Sequence, residues 1–423
     1  MTGRRAPRIG FAGVLGSGNL GNDSSLDALL TFLRDRLPDA RFDFLVMEPE
    51  ALRERYGAPA TPLQWFEANA HRFPRVPGTA LKMLGRVLDP VRTWRWARGH
   101  DVVIVPGMGV LETTVPMRPW GFPWGLLGIA TGARLAGCRF LLVCVGADVI
   151  RRPLTRWLIT TAARLAHYRS YRDEHSRAAM RSMGVDVRAD RVYPDLSFAH
   201  PVPAAAEHRG GVAIGLMDFW GTNDERRDAE RFHRNYLEVM TRFALWLVDA
   251  GRPITFVTCD PVDTAVIEQV RATLAERRPG PGTELVSAPA TPTIQDLMAV
   301  LATVDAVVAT RYHNVVTAVQ LARPTISVGY ADKHREVMAR AGVPEFCQDA
   351  RSVELDLLVR QFTELQVRAA ELVPAMAEAH RAVVAEVEQQ LAELAALLDG
   401  GGSVPADPAG PTSGRGVVAG RPR

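Results

Sequence analysis

Short apolar runs recur along this chain, each leading into a polar or glycine-bearing loop and then a stretch with helical spacing. In the first half the pattern predicts strands near 8–14, 41–47, 101–105, 139–145 and 168–171. Helices near 23–36, 122–136, 153–166 and 174–183 separate several of them. Such alternation marks a parallel α/β architecture. A Pro/Ala/Gly connector, HPVPAAAEHRG at 200–210, then interrupts the pattern. A strand at 211–217 restarts it, followed by helix 228–250, strand 254–258, helix 262–276, a strand near 283–287, helix 293–302 and strand 306–309. The expected result is two doubly wound domains, 1–205 and 210–350, facing across a cleft. Residues 353–398 read as a long Ala/Glu/Leu-rich helix, broken or bent near Pro374. The Gly/Pro-rich stretch 400–423 has almost nothing to bury and is expected to be a disordered tail.

Composition narrows the class. A chain of 423 residues has room for two full cores. Its net charge of +3 is too small to imply nucleic acid. Cys138, Cys144, Cys259 and Cys347 are scattered without a C-x-x-C pair, which argues against zinc or a disulfide framework and fits a cytoplasmic protein. The basic-then-apolar start is short and glycine-broken, so it reads as the first strand and not a signal peptide. No stretch qualifies as a transmembrane helix; the most apolar, 120–150, is broken by Arg134, Arg139 and Asp148.

The segment from Val304 to Val343 carries the most chemistry. Its apolar strand ends at Thr310, Arg311, Tyr312, His313 and Asn314, and a helical stretch follows. The next strand, 325–328, ends at Tyr330, Asp332, Lys333 and His334. Two polar clusters thus sit just past the carboxyl ends of parallel strands, where open α/β sheets bind ligands. Arg311 offers a planar donor fork and His313 a group that trades protons near neutral pH, both at a helix start that already favours an anion. Among 50 lysines and arginines only Lys82 and Lys333 are lysines, which hints that a compact ammonium matters at 333.

Other constellations are less specific. Gly16-Ser17-Gly18-Asn19-Leu20-Gly21 matches G-x-G-x-x-G, with Glu48 somewhat late for a ribose-binding acid. A tight turn, a nicotinamide or flavin site, and an acceptor-binding loop through Asn19, Asn22 and Asp23 all fit, with Asn22 or Asp23 capping the helix. Gly107 and Gly109 form a second loop after a strand, where a ligand could approach the backbone, and Glu112 is the nearest candidate base or hydroxyl-binding group. Arg172-Asp173 with Ser176 reads as a helix cap carrying a candidate contact in Arg172. The window 75–98 is the most basic, with only Asp89 opposing, and its leucines and tryptophans suit either a core-covering helix or an interfacial one.

In order and spacing these segments resemble the polysaccharide pyruvyl transferase family. The resemblance rests on Arg311-Tyr312-His313, Ala322-Arg323-Pro324 and Tyr330-x-x-Lys333 near the carboxyl end. IGFAGVLGSGNLG (9–21), DVVIVPGMGVLE (101–112), YRDEHS (171–176) and YPDLSF (193–198) extend it through the first half. It implies two Rossmann-like domains in a GT-B-like arrangement, acceptor side first and donor side second. It implies transfer of a pyruvyl group from phosphoenolpyruvate to sugar hydroxyls, with no metal and no cofactor beyond that donor. His313 and Arg311 would be catalytic. Asn19, Asn22, Asp23, Gly107, Gly109, Glu112, Arg172, Asp218, Tyr330 and Lys333 would bind substrate. The acceptor would be a sugar or lipid-linked glycan and the setting cytoplasmic; if 75–98 is the interfacial helix and not the core-covering one, it would add peripheral contact at the inner face of the membrane. One departure stands out: Asp218, in Leu216-Met217-Asp218-Phe219-Trp220, occupies a position where the family commonly carries arginine. Arg226 or Arg227 would then have to substitute, or the donor differs. A nucleotide-sugar glycosyltransferase and a non-catalytic relative in glycan assembly are the rival readings.

Overall fold

The computed structural model describes residues 6–112, 119–203, 209–222 and 225–400. The first domain is a seven-stranded sheet: β1 (Arg8–Gly13), β2 (Arg41–Val46), β3 (Ala60–Pro62), β4 (Val102–Pro106), β5 (Arg139–Val145), β6 (Tyr168–Tyr171) and β7 (Arg191–Val192). The second is six-stranded: β8 (Val212–Gly215), β9 (Ile254–Val257), β10 (Val286–Ser287), β11 (Ala306–Ala309), β12 (Thr325–Gly329) and β13 (Cys347–Asp349). Their orders are β3-β2-β1-β4-β5-β6-β7 and β10-β9-β8-β11-β12-β13, with every pairing parallel. Strands β4, β8, β11 and β12 are buried throughout, as expected where helices cover both faces.

The helices are α1 (Leu20–Arg36), α2 (Pro49–Tyr56), α3 (Trp65–Asn69), α4 (Gly78–Ala97), α5 (Phe122–Leu135), α6 (Pro153–Leu165) and α7 (Glu174–Ser182) in the first domain. The second carries α8 (Ala229–Asp249), α9 (Thr264–Arg277), α10 (Pro281–Glu284), α11 (Ile294–Leu301), α12 (Tyr312–Gln320), α13 (Asp332–Arg340) and α14 (Leu355–Gly400). Each sheet has one point where the strand order reverses, between β1 and β4 and between β8 and β11. Ligand crevices form there.

Several elements depart from the periodicity reading. Helix α1 begins at Leu20, not 23, because the Asn19 side chain accepts the N–H groups of Gly21 and Asn22. That displaces Asn22 and Asp23 from the cap. The strand expected near 283–287 is a short helix, α10, followed by the two residues of β10. Pro374 lies inside α14 without ending it. The expected tail beyond residue 400 and part of the connector, 204–208, lie outside the described residues.

Helix α14, roughly 69 Å long at 1.5 Å per residue, ties the domains together. Its first turns bury Leu358, Phe362 and Leu365 in the second domain, with the Phe362 ring edge-on to Phe243 at 5.5 Å. Its last turns return to the first domain: Gln390 donates to Ser170 Oγ at 2.8 Å, the Tyr193 hydroxyl donates to Glu393 at 2.6 Å, and Arg36 pairs with Asp399 at 2.8 Å. No helix among the described residues is long and apolar enough to cross a membrane.

Candidate active site

A cleft of about 490 Å³ lies between the domains, over both reversal points. Val14 beyond β1 and Gly109 beyond β4 line one wall; Met217 beyond β8 and Arg311 beyond β11 line the other.

Arg311 precedes α12, and no side chain caps that helix among the described residues. Its guanidinium does not hold its fork open to the cleft. Nε and Nη2 donate to the two carboxylate oxygens of Asp263 at 2.7 Å each, and Asp263 is wholly buried. Nη1 lies 3.7 Å from Asp260. Asp263 also accepts from the Asp218 N–H at 2.9 Å and from Thr258 Oγ1 at 3.1 Å, so one carboxylate locks three loops at the carboxyl edge of the second sheet. Burial works against the Arg311 charge, but Asp263 outweighs it and raises its pKa.

His313 sits one residue into α12, with Nε2 facing Asp195 of the first domain at 3.5 Å. Burial alone would raise the Asp195 carboxyl; His313 and then Arg172 overcome it and hold that group well below the usual carboxylate range. The other side of the ring lies against Gly21. A Cβ placed at Gly21 would come 2.0 Å from His313 Nδ1, so only glycine lets α1 approach this closely. Backbone and side chain join the domains at the same place: Leu20 N–H donates to the Cys259 carbonyl at 2.8 Å, and Asn19 Nδ2 donates to Asp260 at 2.9 Å.

Three more charges complete the wall. Arg172 is buried, bonded to Glu112, with its guanidinium 5.3 Å over the Tyr312 ring. Burial penalises its charge, yet Glu112 and Asp173 raise its pKa overall. Lys333 Nζ reaches the other Glu112 oxygen at 3.4 Å and lies over Tyr312 and Tyr330 at 5.4 and 5.3 Å. Cys259 also lines the cleft, but burial pushes its thiol up to about 12, so it stays protonated at neutral pH. Among the described residues no group of three or more His, Cys, Asp or Glu side chains is placed to hold a metal ion.

The structure therefore brings together Asn19, Asn22, Gly109, Glu112, Arg172, Arg311, His313, Tyr330 and Lys333 on one cleft. It places three other candidates elsewhere. Asp23 is buried beneath the first loop, where it accepts the Gly16 N–H at 2.8 Å, and burial raises its pKa. Gly107 packs on α1, where a Cβ would meet Ser25 Oγ at 2.3 Å. Asp218 turns away from the cleft lining: it accepts from Trp220 Nε1 at 2.6 Å and lies 3.5 Å from His233. The G-x-G-x-x-G stretch is not a pyrophosphate cradle either, because the space beside its glycines is taken by protein: the Glu48 carbonyl at Gly16, Pro261 at Gly18 and His313 at Gly21.

Asp195 and Asp263 were not singled out from sequence. Asp195 stands in the Pro-Asp dipeptide of YPDLSF, so a signal existed; Asp263, in an ordinary helix start, gives none.

Two parallel α/β domains, with the chemistry on the facing edges and a helix that returns to the first domain, define an enzyme of the GT-B arrangement. A family model described as "Polysaccharide pyruvyl transferase" matches residues 19–332, more than half of the chain. The protein belongs to the polysaccharide pyruvyl transferase family and is a transferase that modifies polysaccharide. No curated protein matches it. Solved structures share the fold at low identity. Anabaena HepE in complex with UDP-glucose aligns with a TM-score of 0.56 and 12% identity, covering 92% of this chain and 99% of that one. A glycosyltransferase from Rickettsia africae gives 0.57 and 9%, covering 93% and 98%. The UDP-GlcNAc 2-epimerase from Methanocaldococcus jannaschii gives 0.54 and 9%, covering 85% and 92%.

Proposed function

We propose that the cleft transfers the pyruvyl group of phosphoenolpyruvate to hydroxyls of a sugar in polysaccharide or glycolipid synthesis. The observation that carries this reading is the uncapped start of α12, whose first residues, Tyr312 and His313, line the cleft beside Arg172, Arg311 and Lys333. An open helix start among fixed cations suits a phosphate or carboxylate.

In this reading the donor's phosphate lies at the α12 start, near Arg311 Nη1 and Lys333. Asp195 faces Nε2 of His313 and orients the ring, which lines the cleft and carries the mobile proton. That proton passes to the donor's methylene carbon, making the central carbon oxocarbenium-like. One sugar hydroxyl adds to it, and the C–O bond to phosphate breaks. A second hydroxyl closes the ketal. Of the two hydroxyl protons, one restores His313 and the other leaves with phosphate. Glu112, between Arg172 and Lys333, is placed to accept a proton from an incoming hydroxyl. Asn19, Asn22 and Gly109 form the acceptor side. No cofactor is required beyond the donor, and four free thiols, three of them buried, suit a cytoplasmic setting.

A nucleotide-sugar donor is the second reading, favoured by the likeness of the fold to the HepE crystal that holds UDP-glucose. A donor panel separates the two. Phosphate released from phosphoenolpyruvate only when a sugar acceptor is present supports the first; nucleoside diphosphate release supports the second. A melting-temperature shift with phosphoenolpyruvate alone gives an acceptor-free check.

A further inference from the structure

Helix α4 breaks the usual rule for a surface helix. Leu81, Gly85, Thr93 and Ala97 face the protein. On the opposite side, Met83, Leu84, Val87 and Val91 recur at spacings of three and four residues and form one apolar stripe in solvent. Val87 is 71% exposed and Met83 59%, values that belong to charged positions on an ordinary surface helix. The stripe continues sideways. Arg86 Nη1 contacts Met83 Sδ at 3.0 Å, and its guanidinium lies 5.4 Å over the exposed ring of Trp120. Phe73 and Val76, just before the helix, are exposed as well.

Charge decides what covers this face. Arg72, Arg75, Lys82, Arg95 and Arg98 are all exposed around it. The only acid between residues 71 and 98 is Asp89, already engaged by the Trp65 N–H at 2.7 Å and by Arg92 at 2.8 Å. A second copy seated on the stripe by two-fold symmetry would set one cationic rim against another, which is unfavourable. A surface that is apolar inside and anionic at its boundary satisfies both parts.

We propose that α4 docks this protein on an anionic membrane, with Met83, Leu84, Val87 and Val91 at the headgroup boundary and the arginines among the headgroups. The geometry ties docking to the cleft. Helix α4 packs on α5, with Trp124 Nε1 donating to the Arg86 carbonyl at 3.2 Å, and Gly121 and Phe122 at the start of α5 line the cleft. The membrane thus lies beside the rim of the first domain, which is the acceptor side in the function proposed above. Nothing in this depends on the identity of the donor.

Sedimentation with vesicles tests it on the full chain. The wild type binds phosphatidylglycerol-containing vesicles at low salt, is released as salt rises, and leaves pure phosphatidylcholine largely unbound. Met83→Glu with Val87→Glu abolishes binding while melting is unchanged, since both side chains are exposed. Arg95→Gln and Arg98→Gln each lower partitioning roughly fivefold. Three results overturn the proposal: no binding to anionic vesicles at low salt, binding indifferent to the two glutamates, or a wild-type dimer that those glutamates dissociate without any vesicle binding.

Discussion

Asp195 and His313 come from different domains and face each other at 3.5 Å at the wall of the cleft. The pair gives the imidazole a fixed orientation and a charge partner, an arrangement that lets one ring nitrogen work while the other is held. We predict that His313→Ala lowers turnover about 100-fold to 10,000-fold with the fold intact. Asp195→Asn should lower it less while leaving donor affinity unchanged. Activity and circular dichroism measured side by side decide this; near-normal turnover in His313→Ala removes the proposed proton donor.

Gly21 controls where that ring sits. Gly21→Ala puts a methyl 2.0 Å from Nδ1, so the ring or the helix must move. A displacement near 1 Å can cost about 100-fold in rate. The expected result is a large fall in kcat with a smaller change in KM. Unchanged kinetics in this variant would show that His313 has freedom the packing does not allow it.

Arg311, half-buried, pairs with the wholly buried Asp263 in the second domain, and their variants should read mainly as stability. Removing one member of such a pair typically costs about 3–5 kcal/mol. Asp263→Asn is therefore expected to lower the denaturant midpoint strongly. Arg311→Lys should do the same and lower activity in proportion, because an ammonium cannot span both carboxylate oxygens. An Arg311→Lys protein of normal stability with weakened donor binding would return the fork to the substrate.

Buried His334 sets a pH dependence. Burial is the main cause of its strongly lowered pKa, with Lys333 and Arg172 adding to it. Unfolded, the same ring titrates near about 6.5. The unfolded chain therefore binds more protons as pH falls below that value, and stability present above it is progressively lost. Melting temperature should drop between neutral pH and pH ~5, and His334→Asn, which keeps a polar atom toward Ser327, should flatten that slope. A slope unchanged in the variant would assign it to other buried histidines such as His200, whose pKa burial also lowers.

Much of this molecule is readable from its pattern, and the failures share a cause. The central strands are apolar throughout and the helices between them keep their period, so the two sheets emerge from local sequence. Arg311, His313 and Lys333 follow from their place beyond two strands. What local pattern cannot show is which distant side chain meets them. The Arg311 fork looks available until Asp263 is seen beneath it. Asp218 looks aimed at the ligand until Trp220 and His233 claim it, so Asp218→Arg should leave donor affinity unchanged in calorimetry. Asn19 caps α1 because its side chain, and not the later Asn22 or Asp23, reaches the first free N–H groups. Short pieces such as α2, β3 and β13 are held by their neighbours and carry too few residues to announce themselves.

Three contacts at the cleft cross between the halves of the chain: Asp195 with His313, Glu112 with Lys333 and Asn19 with Asp260 each take one member from either half. Neither half can be exchanged by recombination without its counterpart. A chimaera that joins one half of this sequence to the complementary half of a relative inherits three mismatched couples unless those six positions travel together. Drift at any one of them must be answered across the interface, so the two halves are bound to diverge in step.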